Sequence, residues 1–99
     1  MSAHVSDHGM QRLDERCGLN KRAAVRMAAR AHAEGLPTEA THGPLKRWLS
    51  EREASNERGA FCRIYGDHVF IFGRNAVLIT VLFLPHEFRA AVAKLKARR

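Results

Sequence analysis

The chain has 99 residues, 45% of them hydrophobic, and its 17 Lys and Arg against 10 Asp and Glu leave a net charge of +7. That is the length of one domain, too apolar for a disordered chain and large enough to hold a core without disulfide or metal staples. The longest apolar run, residues 76–84, is strand-sized and carries a Thr, and the opening MSAHVSDHG is not an apolar leader, so a cytoplasmic location with no membrane partner is expected.

Ser6 or Asp7 is placed to cap a first helix over residues 8–17, closed by Gly18. Met10, Leu13 and Cys17 make its core-facing stripe, and His8, Arg12 and Arg16 a second stripe on the opposite side. Asn20 caps an Ala-rich helix over residues 21–34, with Gly35 as its C′ residue and Pro37 preventing continuation. Ala24, Met27, Ala28 and Ala31 form its packing side and Arg22, Arg26 and Arg30 a basic stripe. Residues 37–43 read as a loop, and Pro44 opens a third helix over residues 44–54 with Leu45, Trp48 and Leu49 inward.

After the break at residues 55–59 the hydrophobic period falls from about 3.6 to about 2. Residues 60–65 form a strand, Gly66-Asp67 a hairpin turn, residues 69–72 the return strand, residues 73–75 a second turn, and residues 77–84 a strand apolar on both faces. Pro85 stops it, and residues 86–97 form a last helix packing through Phe88, Val92 and Leu95. The opening segment around His4 and Val5 leaves room for a short fourth strand, on the evidence of two residues only. Helices before strands predict an α+β fold: N-terminal helices packed on one face of a three- to four-stranded antiparallel meander sheet, with a C-terminal helix. The single domain 1–99 divides into a helical half (1–58), a sheet (59–85) and a basic C-terminal helix (86–99).

A basic surface of this strength attracts RNA or another polyanion, acidic proteins or anionic lipid; the bland alternative is a soluble protein from a basic proteome. Candidate nucleic-acid contacts are Arg22, Arg26 and Arg30, Arg63 and Tyr65 on one strand face, and Lys94, Lys96, Arg98 and Arg99 at the C-terminal tip. His8, Arg12 and Arg16 put an imidazole and two guanidiniums on one helix face, which suits metal-free RNA cleavage. The base takes the 2′-hydroxyl proton, the oxygen attacks phosphorus, and the arginines hold the added negative charge. Spacing four also describes any solvated helix face. Thr80 touches a phosphate if the first helix lies across the sheet; otherwise its hydroxyl bonds a neighbouring backbone group. Cys17 and Cys62 sit in apolar patterns and read as reduced and structural, and the remaining histidines as structural or solvated, with His86 a reserve catalytic candidate. No metal-ligand spacing, phosphate loop or nucleophile elbow is present, so no cofactor is expected.

Taken together, Ser-Asp-His-x3-Arg-x3-Arg from residue 6, the strand around Arg-Ile-Tyr and the later Leu-Ile-Thr-Val resemble small phage and bacterial proteins of the barnase–EndoU–colicin–RelE group. The resemblance spans roughly residues 5–84. It implies a metal-independent endoribonuclease, often a toxin, on an antiparallel sheet, with an acidic antitoxin, immunity or host protein as partner. His8 would be the general base or acid, Arg12 and Arg16 phosphate ligands, Thr80 a phosphate contact, and Arg63 and Tyr65 cleft residues. The chain departs from RelE-like toxins in lacking a clear N-terminal strand and in having Leu84-Pro85-His86 where a basic sequence is usual. A non-catalytic nucleic-acid-binding module and a phage-type inhibitor of a host protein therefore stand beside the nuclease.

Overall fold

The structure, a computed structural model, describes residues 4–18 and 20–97, excluding the side chains of residues 4, 8, 13, 17 and 21. The elements are β1 (His4–Val5), α1 (Asp7–Cys17), α2 (Lys21–Glu34), β2 (Leu36–Pro37), α3 (Gly43–Ala54), β3 (Phe61–Tyr65), β4 (His68–Phe72), β5 (Val77–Phe83) and α4 (Arg89–Ala97). The fold is α+β. Its sheet runs β1-β5-β4-β3-β2, antiparallel from β2 to β5, with β1 added parallel to β5.

Capping fixes where the first two helices begin. The Ser6 hydroxyl accepts the Gly9 amide at 3.0 Å, and the Asn20 side chain accepts the Ala23 amide at 2.9 Å. Gly18 closes α1 with φ 64, the left-handed conformation glycine adopts freely. Gly35 closes α2 differently from the expected C′ glycine, at φ −65 and ψ 153. Glycine is needed there because the chain turns straight into β2, and a Cβ would collide with the Ala31 carbonyl oxygen and lie 2.9 Å from Arg63 Cβ.

The segment expected to be a loop, 37–43, holds structure: β2 pairs Leu36 with Ile64 and Pro37 with Arg63, and a 3₁₀ turn follows over Thr38–Ala40. Proline is tolerated because β2 is an edge strand. Buried hydroxyls hold the turn. Thr41 Oγ1 donates to the Thr38 carbonyl at 2.6 Å, and Thr38 Oγ1 donates to Glu53 at 2.8 Å.

Helices cover both faces of the sheet, where one covered face was expected. Val69, Phe70, Ile71 and Phe72 are all fully buried, so β4 has no solvent face to offer. Phe70, Phe72, Leu78 and Val81 join Ala24, Ala28 and Ala31 of α2 in a first core. Cys62, Ile64, Val69 and Ile71 join Leu45 and Leu49 of α3 and Val92 of α4 in a second. Cys62 is a free, buried thiol, pushed up to about 12 by burial and by the Glu53 carboxylate. Cys17 lies among the side chains not described.

A β-bulge decides which residue faces which core. Ile71 pairs with Thr80 but Phe72 pairs with Leu78, so Ile79 is an extra residue on β5. Leu78 and Val81, three apart, consequently enter the same core. Beyond β1, the open edge of β5 is covered by α1. Its start is pinned by Ser6, whose amide and hydroxyl both donate to the Leu78 carbonyl, at 3.2 and 2.7 Å. Gly9 rests against the same oxygen, where a Cβ would stand 2.5 Å away.

Candidate nucleic-acid interface

α1 runs beside β5 from Leu78 to Phe83 and delivers Arg16 at the far end of the sheet. The Arg16 guanidinium carbon lies 5.8 Å from the Phe83 ring centroid, and its Nε is buried with no hydrogen-bond partner among the described residues. Arg12, one turn earlier, forms a 2.9 Å ion pair with Glu15. Glu15 also accepts a hydrogen bond from Gln11, and this bond, with Arg12 beside it, holds the carboxyl below its usual range.

Beneath Arg16 the strand ends line up. The two-residue turn Gly66-Asp67 sets Tyr65 opposite His68, and the β4–β5 register sets His68 opposite Phe83. Directly paired residues share a sheet face, so Tyr65, His68 and Phe83 form a row, one per strand, on the side carrying α1 and α2. The His68 and Phe83 ring centroids are 5.2 Å apart, and Tyr65 leans edge-on against Phe70 at 6.3 Å. Phe83 is 55% exposed, in a molecule that buries Phe70 and Phe72 completely. Burial holds the His68 imidazole below its ordinary range; Asp67 opposes the shift and Arg16 adds to it. On the rim beyond Tyr65, a pocket of about 480 Å³ is lined by Glu34, Leu36, Ile64, Tyr65, Gly66 and Lys96.

The other expected site residues are dispersed. Thr80, paired with Ile71, lies on the second-core face, the opposite side of the sheet from Arg63 and Tyr65. It does not share a hollow with them, because the extra residue Ile79 puts Thr80 and Leu78 on opposite faces. Arg63 shares the face of Tyr65 but is half-buried as a packing residue: its guanidinium lies 5.0 Å from the Phe61 ring centroid and donates to the Cys62 carbonyl at 3.2 Å. Arg22, Arg26 and Arg30 stand exposed on α2, with no carboxylate paired to them among the described residues. Lys94 and Lys96 are exposed on α4, and Lys96 Nζ approaches the Gly66 carbonyl at 3.4 Å. The His8 side chain, Arg98 and Arg99 lie outside what is described. Among the described residues, no three His, Cys, Asp or Glu side chains are grouped to hold a metal ion, and no helix is long and apolar enough to cross a membrane.

His68 and Phe83 were missed from sequence, where His68, beside the turn, read as structural or solvated and Phe83 lay within an apolar strand. The signal was present: a two-residue turn makes its flanking residues direct partners, so Tyr65 predicted the position of His68.

A second imidazole, His32 of α2, sits edge-on to Phe61 and Phe72 at 5.9 and 5.4 Å. Burial, with Arg63 nearby, lowers its pKa from 6.5. The unfolded chain then binds the proton more readily than the folded one. Its contribution to stability is complete above pH 6.5 and lost as the pH falls below that value. The shift at His68 acts in the same direction. Thermal melts between about pH 8 and about pH 5 should show a falling midpoint on the acid side, and His32→Gln should shallow that fall. An unchanged acid limb in the variant would mean that His32 is not its source.

No protein-family model, curated protein or solved structure matches this chain.

Proposed function

We propose that this domain binds nucleic acid through the basic side built by α1 and α2, in keeping with a cytoplasmic protein. One observation carries the proposal: Arg22, Arg26 and Arg30 stand exposed on α2 with no carboxylate paired to them among the described residues, on the same side of the sheet as Arg16, in a chain of net charge +7. Cations in such a row neutralise successive phosphates and release condensed counterions.

A second reading, the metal-independent endoribonuclease, is favoured by one feature. His68, kept below its ordinary pKa, stands in the same cluster as the Arg16 guanidinium. A neutral imidazole there can take a 2′-hydroxyl proton while the guanidinium holds the phosphorane's charge and the 5′-oxygen leaves, giving a 2′,3′-cyclic phosphate. The base would then be His68 and not the His8 that the resemblance to the ribonuclease group implies.

Titrating RNA with the protein across a salt series, in the presence of a chelator, separates the two. Affinity should fall steeply with salt. Replacing Arg22, Arg26 and Arg30 together by Gln should flatten the log–log slope by about 2, at roughly 0.7 per phosphate contact on a single strand. RNA recovered intact fits binding alone, and cyclic-phosphate ends select the nuclease. Affinity indifferent to salt would overturn both.

A further inference from the structure

We propose that Tyr65, His68 and Phe83 form a stacking shelf for the bases of single-stranded RNA, with Arg16 holding a phosphate beside it. This names the ligand class for the nucleic-acid reading above and rests on it.

The shelf has the geometry that unpaired bases require. It offers one ring per strand on β3, β4 and β5, in direct register. Neighbouring strands lie about 4.8 Å apart, so the row spans roughly 10 Å, the reach of two or three bases. Bases in a duplex are stacked on one another and cannot lie on protein rings; unpaired bases can, whatever their sequence. The rings are also held in place, Tyr65 against Phe70 and His68 against Phe83. Preorganised rings lose little freedom when a base arrives.

Exposure and charge point to the same occupant. A Phe that is 55% exposed has a large apolar face open to a partner, whereas Phe70 and Phe72 have none. Arg16 lies over that ring, so its guanidinium brings a positive charge to the edge of the shelf, where a phosphate would sit. A second copy of this chain would bring its own net charge of +7 against this one, which disfavours self-association. The choice of RNA over DNA follows from the ring edges. The Tyr65 phenol can donate to or accept from a 2′-hydroxyl, which DNA lacks.

The test compares affinities of the full chain for a fluorescent single-stranded RNA on the order of ten nucleotides long, the same sequence as DNA, and an RNA duplex. Phe83→Ala alters an exposed side chain and should leave the melting midpoint unchanged. It should weaken single-stranded RNA binding roughly 5- to 100-fold and duplex binding little. Phe83→Trp should restore the single-strand affinity. Arg16→Gln should reduce the salt slope on the single strand by about 0.7. Phe83→Ala with wild-type affinity, or with equal losses on both RNA forms, would overturn the shelf while salt-dependent binding survived. Equal affinity for the DNA would overturn the choice of RNA. A dimer that Phe83→Ala dissociates without changing RNA affinity would make this face a self-association surface. No binding of any nucleic acid at low salt would instead refute the function proposed above.

Discussion

Phe72→Ala should remove about 3–5 kcal/mol of folding stability. The side chain is completely buried. It stacks on Phe61 with centroids 5.4 Å apart and planes 20° from parallel, and it meets the His32 ring edge-on at 5.4 Å. Its strand partner is Leu78, at the bulge. Truncation therefore forfeits the transfer of a phenyl ring, leaves a cavity and releases two ring contacts, each worth roughly 0.5–1.5 kcal/mol beyond burial. Against a typical total of about 5–15 kcal/mol, this approaches unfolding. Urea denaturation should show the midpoint falling by about 1 M or more, given slopes of about 1–3 kcal/mol/M. Val25→Ala, at a position 38% exposed, should stay within about 0.5 kcal/mol of wild type. A Phe72 variant as stable as the Val25 variant would show that the first core is not organised around this ring.

Phe72 and Phe83 are the same residue type with opposite expected consequences. One is fixed between α2 and the sheet and should govern stability. The other, near Arg16, should govern binding. The amino-acid sequence does not separate them, because both sit in apolar strand segments. Their difference comes from where the helices end. α2 closes over Phe61 and Phe72, while α1 reaches the Phe83 end with only its last turn.

This explains what was legible in the sequence and what was not. The first two helices could be bounded from caps alone, since a Ser or Asn side chain bonding an amide three residues on is a local event, as at Ser6–Gly9 and Asn20–Ala23. The hairpin at Gly66-Asp67 was equally local. Sheet order and the covering of both faces were not, although the unbroken apolar run of β4 already required two covered faces. Thr80 was expected to meet a phosphate only if the first helix lay across its face, and its face is set by a bulge that nothing in Leu-Ile-Thr-Val marks. Arg63 was a cleft candidate in the sequence because its closeness to Gly35 depends on β2, whose Pro37 pairs with Arg63 and falls inside the expected loop.

Glu53→Ala is the second large expected loss, about 3 kcal/mol or more, and it comes from polar groups rather than apolar area. One carboxylate oxygen accepts both the Thr38 hydroxyl and the Cys62 amide, each at 2.8 Å. It thereby ties α3 to the turn after β2 and to the start of β3. Hydrogen bonds to a charged group contribute roughly 1.5–3 kcal/mol each, and a donor left buried without a partner costs its full desolvation. Both donors would be stranded, because Thr38 is almost completely buried and Cys62 lies wholly inside the second core. Glu53→Gln keeps one acceptor oxygen without the charge, so its loss should be smaller than that of the Ala variant. A second readout distinguishes local opening from a general fall in stability. The Cys62 thiol, held at about 12 and fully buried, should resist thiol reagents in the native protein. Opening of the α3–β3 junction in Glu53→Ala should raise its labelling rate well beyond that in Phe72→Ala, whose damage lies in the other core. Equal labelling rates in variants matched for stability would mean that Glu53 does not clamp this junction.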